Sequence, residues 1–182
     1  MIKVKTDPEE RVSQGNIYRQ VEYIESFSED EGIITISKII FPYIIVLTQD
    51  CDLSQDFKFR FDSSKTQDKL ILSVLVAPLY QADLVYTGQH LEKLGKKMEP
   101  INKNRSPGHI LVQNNNPRYH HLQFPEESSL VPSIIDFKHY FSLNVEYLLN
   151  IHKTNFVCKV SELYREDISQ RFASFLSRIG LP

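Results

Sequence analysis

The sequence predicts a mainly β protein, a small barrel or curled sheet with inserted helical loops and a C-terminal α-helix. Three stretches carry that reading. Ile33–Ile40 is dense in β-branched residues and partly alternates. Tyr43–Thr48 is a continuous apolar run bounded by a proline and a polar cluster, as a buried strand should be. Leu70–Pro78 reads LILSVLVAP. Several short strands with few helical inserts argue against a βαβ array.

The element order follows from punctuation along the chain, read as one domain over 1–182. Residues 1–13 form a polar lead with Pro8 near a short helix, and 14–80 carry the barrel strands. Gly15 opens a strand over Asn16–Ile24. Glu25, Glu29, Asp30, Glu31 and Gly32 read as a solvated acidic turn. Ile33–Ile40 is then expected to pair antiparallel with Tyr43–Thr48 through the Phe41–Pro42 bend. Gln49–Lys69, rich in Asp, Ser and Lys, reads as a long polar loop. Residues 81–107 form a helical and basic insert, with a helix over Ala82–Leu94 interrupted by Gly88, then turn-rich Lys96–Pro107. Further strands are expected within 108–160: His109–Gln113 and Tyr119–Phe124 around the turn Asn114–Pro117, then Leu130–Phe137 and Phe156–Val160. Over 161–180, Tyr164, Ile168, Phe172, Phe175, Leu176 and Ile179 recur at helical spacing, and Gly180 with Pro182 stops the helix.

Composition narrows the function classes. With 41% hydrophobic residues in 182, the chain has material for a core without a disulfide staple. Cys51 and Cys158 are its only cysteines and lie far apart, which fits neither a secreted disulfide framework nor a zinc knuckle. No metal and no cofactor are expected. A net charge of −2 lacks the positive excess of a domain that grips nucleic acid by its phosphates. The first residues have no apolar segment of a signal peptide. The longest apolar stretch, Ile39–Leu47, is interrupted by Pro42 and too short to span a bilayer. The expectation is a cytoplasmic protein without membrane contact.

Three segments occur in a suggestive order: Gly15-Asn16-Ile17, then Phe41-Pro42-Tyr43-Ile44-Ile45-Val46-Leu47-Thr48, then Leu72-Ser73-Val74-Leu75-Val76-Ala77-Pro78-Leu79-Tyr80. Together they resemble the MazF/PemK toxin family, SH3-like barrels that cut single-stranded RNA. The likeness covers roughly the first half of the chain. It implies an SH3-like, MazF-like barrel and a toxin–antitoxin-like or defence setting. The stretches TQDCDLSQD and YREDISQRFASFLSRIGLP are similar to recurring features of prokaryotic proteins, which implies a prokaryotic source. Two positions depart from the family pattern. Its catalytic arginine precedes the proline, where this chain has Phe41, and Tyr80 and Gln81 replace the polar residue after the third strand. Phenylalanine cannot stabilise charge on a transferring phosphate, so the resemblance implies a retained fold with lost RNA cleavage.

Thr48-Gln49-Asp50-Cys51-Asp52 is the most unusual local string, a thiol between two carboxylates. Flanking acids disfavour the thiolate a nucleophile needs, so Cys51 requires a histidine folded onto it. His120 and His121 face opposite sides if Tyr119–Phe124 is a strand, so one at most reaches any pocket. Arg118 and Tyr119 beside them complete a candidate surface: Cys51, His120 and Arg118 for catalysis, and Gln49, Asp50, Cys51, Asp52, Arg118, Tyr119 and His121 for binding. A basic surface of Lys93, Lys96, Lys97, Lys103, Arg105 and Arg118, with Tyr86 and Tyr119 as stacking partners, suits single-stranded RNA in principle. The leading expectation is a MazF-like protein-binding or regulatory module without ribonuclease activity, taking a protein partner in preference to nucleic acid, with a homodimer open. The alternatives are an endoribonuclease on single-stranded RNA, with Arg118 and a histidine in place of the lost arginine, and a Cys51-centred hydrolase.

Overall fold

The computed structural model describes residues 1–104 and 111–178. Its strands are β1 (Val4–Lys5), β2 (Asn16–Asp30), β3 (Ile33–Val46), β4 (Ser73–Gln81), β5 (Tyr119–Leu122), β6 (Ser133–Asp136), β7 (Phe141–Asn144) and β8 (Phe156–Val160). Its helices are α1 (Asp50–Arg60), α2 (Ala82–Thr87), α3 (Val145–Asn155) and α4 (Glu162–Leu176), and 3-10 turns occupy Glu92–Leu94 and Phe137–His139. One antiparallel sheet runs β1-β8-β2-β3-β4-β6-β5, with β7 also on β4, and curls into a half-barrel. The mainly β class with a C-terminal helix is therefore observed.

Strands β3 and β4 lie side by side, Ile44–Val46 against Val76–Pro78, and form the centre of the core. Ile17, Ile45, Ala77, Leu79, Ile135 and Phe137 pack on one side of the sheet, beneath Ile168 and Phe172 of α4. Tyr18, Phe41, Ile44, Val46, Val74 and Val76 pack on the other, beneath Leu148 of α3. The helical spacing of Ile168 and Phe172 thus marks a core-facing stripe.

Several sequence expectations need correction. Ile33–Ile40 and Tyr43–Thr48 do not form a hairpin with each other. They are one continuous strand, β3, whose partner is β2 from Ile17–Ile45 to Asp30–Ile33. The ladder passes over Gln20 and Pro42: Pro42 has no N–H to give, and Gln20 opposite it takes a positive φ of 51°. Phe41 and Ile44, three apart, consequently reach the same core cluster. Nor is the acidic segment a long solvated turn. Strand β2 continues through it to Asp30, and only Glu31 and Gly32 turn, both at positive φ, the conformation a tight hairpin demands.

The polar loop expected over Gln49–Lys69 begins as helix α1. Asp56 anchors it by a two-point ion pair with Arg60 one turn on and by accepting the Ile71 N–H. Strand β4 starts at Ser73, three residues later than expected, and runs to Gln81. The lead over 1–13 holds no helix near Pro8; Val4–Lys5 joins the sheet beside β8, and Ile2 and Val12 are buried. The 108–160 region contains α3 as well as strands. Residues 111–113 are not extended, whereas Arg105, His109, Ile179, Gly180 and Pro182 lie outside the described residues. Helix α2 ends where Gly88 takes φ 74°, with a Cβ there 2.2 Å from the Met98 carbonyl oxygen, so the break expected at Gly88 is real.

Candidate functional site

The strand and turn around Asp136 bring together a group of titratable side chains: Arg118, His139, Tyr80 and His90. Asp136 ends β6 and caps the 3-10 turn that follows, accepting the Lys138 N–H at 3.0 Å. Its carboxylate is buried and takes the Arg118 guanidinium at two points, Nε at 2.8 Å on Oδ1 and Nη2 on Oδ2. His139, one turn on, sets Nδ1 3.4 Å from Asp136 Oδ2 and 3.2 Å from the Tyr80 hydroxyl on β4. The Tyr80–His139 hydrogen bond runs in either direction according to which ring nitrogen carries the proton, and Nδ1 is the nitrogen that faces both oxygens. His90 closes the group, its ring edge-on to Tyr80 at 4.9 Å and 6.4 Å from the His139 ring. Burial pushes the His139 and His90 imidazoles below the ordinary histidine range, outweighing the pull of Asp136, and pushes the Tyr80 phenol up. At neutral pH the group is two uncharged imidazoles, a phenol and an internal ion pair.

Tyr80 and His90 line a cleft of about 350 Å³ between β3, β4 and the 3-10 turn at Glu92–Leu94, with Phe41, Tyr43 and Leu84 among its apolar walls. An imidazole and a phenol at a cleft wall can exchange protons with a bound molecule. Among the described residues no group of three or more His, Cys, Asp or Glu is placed to hold a metal ion.

The residues singled out in the sequence divide among separate places. Asp50 sits in the first turn of α1 and serves as a clamp: Arg11 grips it at 2.8 and 3.1 Å, the Gln14 N–H donates to it, and Arg165 of α4 stands 3.5 Å away. Burial alone would raise the Asp50 carboxyl, but the Arg11 bonds outweigh it and hold the group below the ordinary carboxylate range. Cys51 is exposed beside it, its thiol 3.6 Å from Gln49 Oε1 and 3.7 Å from Asp52 Oδ1. None of those contacts is a histidine, so the pairing a Cys51 nucleophile needs is not formed. His120 and His121 do point apart, as strand alternation requires. His120 is buried against Phe137 and 3.9 Å from Asp167, whereas His121 lines a shallow groove with Tyr86 and Lys103. Arg118 alone of the predicted group reaches the Tyr80–His139 cluster, and it also lies over the Tyr119 ring at 4.8 Å.

A second feature was not read from the sequence. Beyond Tyr18, β2 has no pairing with β8, and below Ile44, β3 has none with β4. Residues 22–40 therefore project as a two-stranded arm whose outer edges pair with no other strand among the described residues. Its base is braced by α3, where the Tyr147 hydroxyl accepts the Glu22 N–H and Asn155 donates to the Arg19 carbonyl. The register places Phe27 opposite Ile36, Ile24 opposite Lys38 and Glu22 opposite Ile40. A bulge between Ile24 and Ser26 inserts one residue, which is why Ile24 and Phe27 share a face. That face carries Ile24, Phe27, Ile34, Ile36 and Ile40, each 50–78% exposed, with Glu22, Glu29 and Lys38 between them. The other face of the outer arm carries Ser26, Ser28, Thr35 and Ser37, with Ile33 at the tip. Glu31-Gly32 between apolar-rich runs was the available signal for this hairpin.

No family model, no curated protein and no solved structure matches the chain. No helix among the described residues is long and apolar enough to cross a membrane.

Proposed function

We propose that this chain is a protein-binding module on a MazF-like, SH3-like barrel, with a regulatory role and without ribonuclease activity. The observation that supports the reading is the arm. An isolated two-stranded ribbon is marginal in water, and this one presents five large apolar side chains on a single face. Contiguous exposed apolar surface of that kind marks protein interaction sites. Two further facts fit. Phe41, at the position of the family's catalytic arginine, stacks on Phe141 at 4.9 Å in the core. Arg118, the candidate replacement, is already engaged by Asp136.

Endoribonuclease activity is the second reading, favoured by the convergence of Arg118, His139, Tyr80 and His90. Incubating the protein with a long single-stranded RNA, without added metal, separates the two. Cleavage that disappears in Tyr80→Phe and His139→Gln variants overturns the binding-module reading. Uncut RNA, together with a protein complex from source-cell extract that Phe27→Asp abolishes, supports it.

A further inference from the structure

We infer that the partner seated on the apolar face of the arm is a second copy of this chain, packed antiparallel about a two-fold axis at Phe27 and Ile36. The inference rests on the protein-binding reading and names its partner.

The face is self-complementary. Along it the cross-strand pairs follow the order Glu29–Ile34, Phe27–Ile36, Ile24–Lys38, Glu22–Ile40. A two-fold axis running between the two faces along the Phe27–Ile36 pair sets the Glu29–Ile34 pair of one copy across from the partner's Ile24–Lys38 pair, so Glu29 and the partner's Lys38 become diagonal neighbours, and the reverse. Ile34 likewise meets the partner's Ile24. Lys38 in the single chain is held by Glu22 at 2.9 Å, on the same face and half-exposed, so its ammonium is already positioned there.

The ends fit as well as the middle. The tip is acidic, Glu29, Asp30 and Glu31. The base of the same arm opens into a cleft of about 650 Å³ whose lining carries two lysines, Lys38 and Lys93, against one acid, Glu25, beside Ile40 and Leu94. Ile34 and Lys38 are four residues apart, about 13 Å of strand. Antiparallel overlap of that length carries one copy's acidic tip to the other's Lys38 and Lys93, and the two-fold repeats the contact at the other end.

The area is sufficient. At the exposures observed, the five side chains offer roughly 600 Å² per copy, taking about 200 Å² for a large apolar side chain. Fully covered, these side chains of two copies supply about 1,200 Å², which reaches the lower bound of a stable specific interface, and the flanking charged groups and clefts add to it.

Sedimentation velocity across a dilution series tests this on the full chain. The expected species has twice the chain's mass and dissociates on dilution. A Phe27→Asp/Ile36→Asp variant is expected to be monomeric at every concentration with an unchanged circular-dichroism melt, since both side chains face solvent in the single chain. Glu29→Lys and Lys38→Glu should each raise the dimer Kd about tenfold, and the two together should restore it, which a merely hydrophobic aggregate would not do. A wild-type monomer at all concentrations overturns the inference, as does a dimer indifferent to Phe27→Asp/Ile36→Asp. If the wild type is monomeric while Phe27→Asp still abolishes capture of another protein, self-association fails and the protein-binding reading stands. If the arm variants change neither, both fail.

Discussion

Arg118 and Asp136 close a two-point ion pair in which the carboxylate side chain is 1% exposed and the guanidinium 26%. The pair ties the chain before β5 to the end of β6, and the Phe137 N–H reinforces it by donating to the Arg118 carbonyl at 2.9 Å. Arg118 is thus a structural cation first, which alters what its removal would report.

Replacing Arg118 with Met leaves a buried carboxylate without its counter-charge. Breaking such a pair costs about 3 kcal/mol, at the low end of the usual range because the arginine is partly solvated. Urea unfolding of Arg118→Met should show that loss, and Arg118→Met/Asp136→Asn should recover most of it. An Arg118→Met protein as stable as wild type would show that the pair adds nothing. For the same reason, lost activity in an Arg118 variant is ambiguous, and Tyr80 and His139 are the better probes.

Val46 and Val74 lie fully inside the second core cluster, on the adjacent strands β3 and β4. A lysine at either place buries an ammonium with no partner, at several kcal/mol, comparable with the stability of a whole domain. Val46→Lys and Val74→Lys should each be unfolded by circular dichroism at room temperature. A Val46→Lys protein with an unchanged melting temperature contradicts the central position of β3.

The two thiols should differ sharply. Cys51 is exposed on the first turn of α1, whereas Cys158 is buried in β8, where burial pushes its thiol up to about 12. A disulfide-exchange reagent should titrate one thiol per folded chain and a second only after denaturant is added. Cys51→Ser should abolish the first phase and leave the second. Two fast thiols in the folded protein would place β8 at the surface.

Local pattern made β8, α4 and the β3–β4 core legible, because each carries its signal within a short window. Pro42 misled because proline normally ends a ladder, and only the distant Gln20, at φ 51°, accommodates it inside one strand. Helix α1 was hidden by composition: Leu53 is its one buried apolar residue, and the helix is held instead by Asp56 with Arg60. The Tyr80–His139 contact spans 59 residues and leaves no spacing to read. The arm was obscured by its own charges, since Glu25, Glu29, Asp30 and Glu31 resemble a loop until the partner strand shows which side chains share a face.

Acid should destabilise the protein through its histidines, His120 foremost. Its ring is buried against Phe137, and Asp167 is the only acid near it, at 3.9 Å from Nε2 among the described residues. Burial, then the neighbouring Arg171 and His121, push its imidazole down to about 3. An unfolded histidine titrates near 6.5, so the unfolded state takes up the proton first as pH falls. The folded pKa is the lower one. The contribution of the neutral ring is therefore fully present above about pH 6.5 and is lost as pH falls from there toward 3. At pH 5 the deficit from this one group is about 2 kcal/mol. His90, His121, His139 and His152 are also shifted down by burial, so they act in the same direction. Urea unfolding at pH 7 and pH 5 should show a large loss for the wild type. His120→Phe keeps the apolar contact and removes the titration, so its loss should be smaller by about 2 kcal/mol. Equal losses in the two proteins would mean that His120 accepts its proton inside the fold, with Asp167 as the counter-charge.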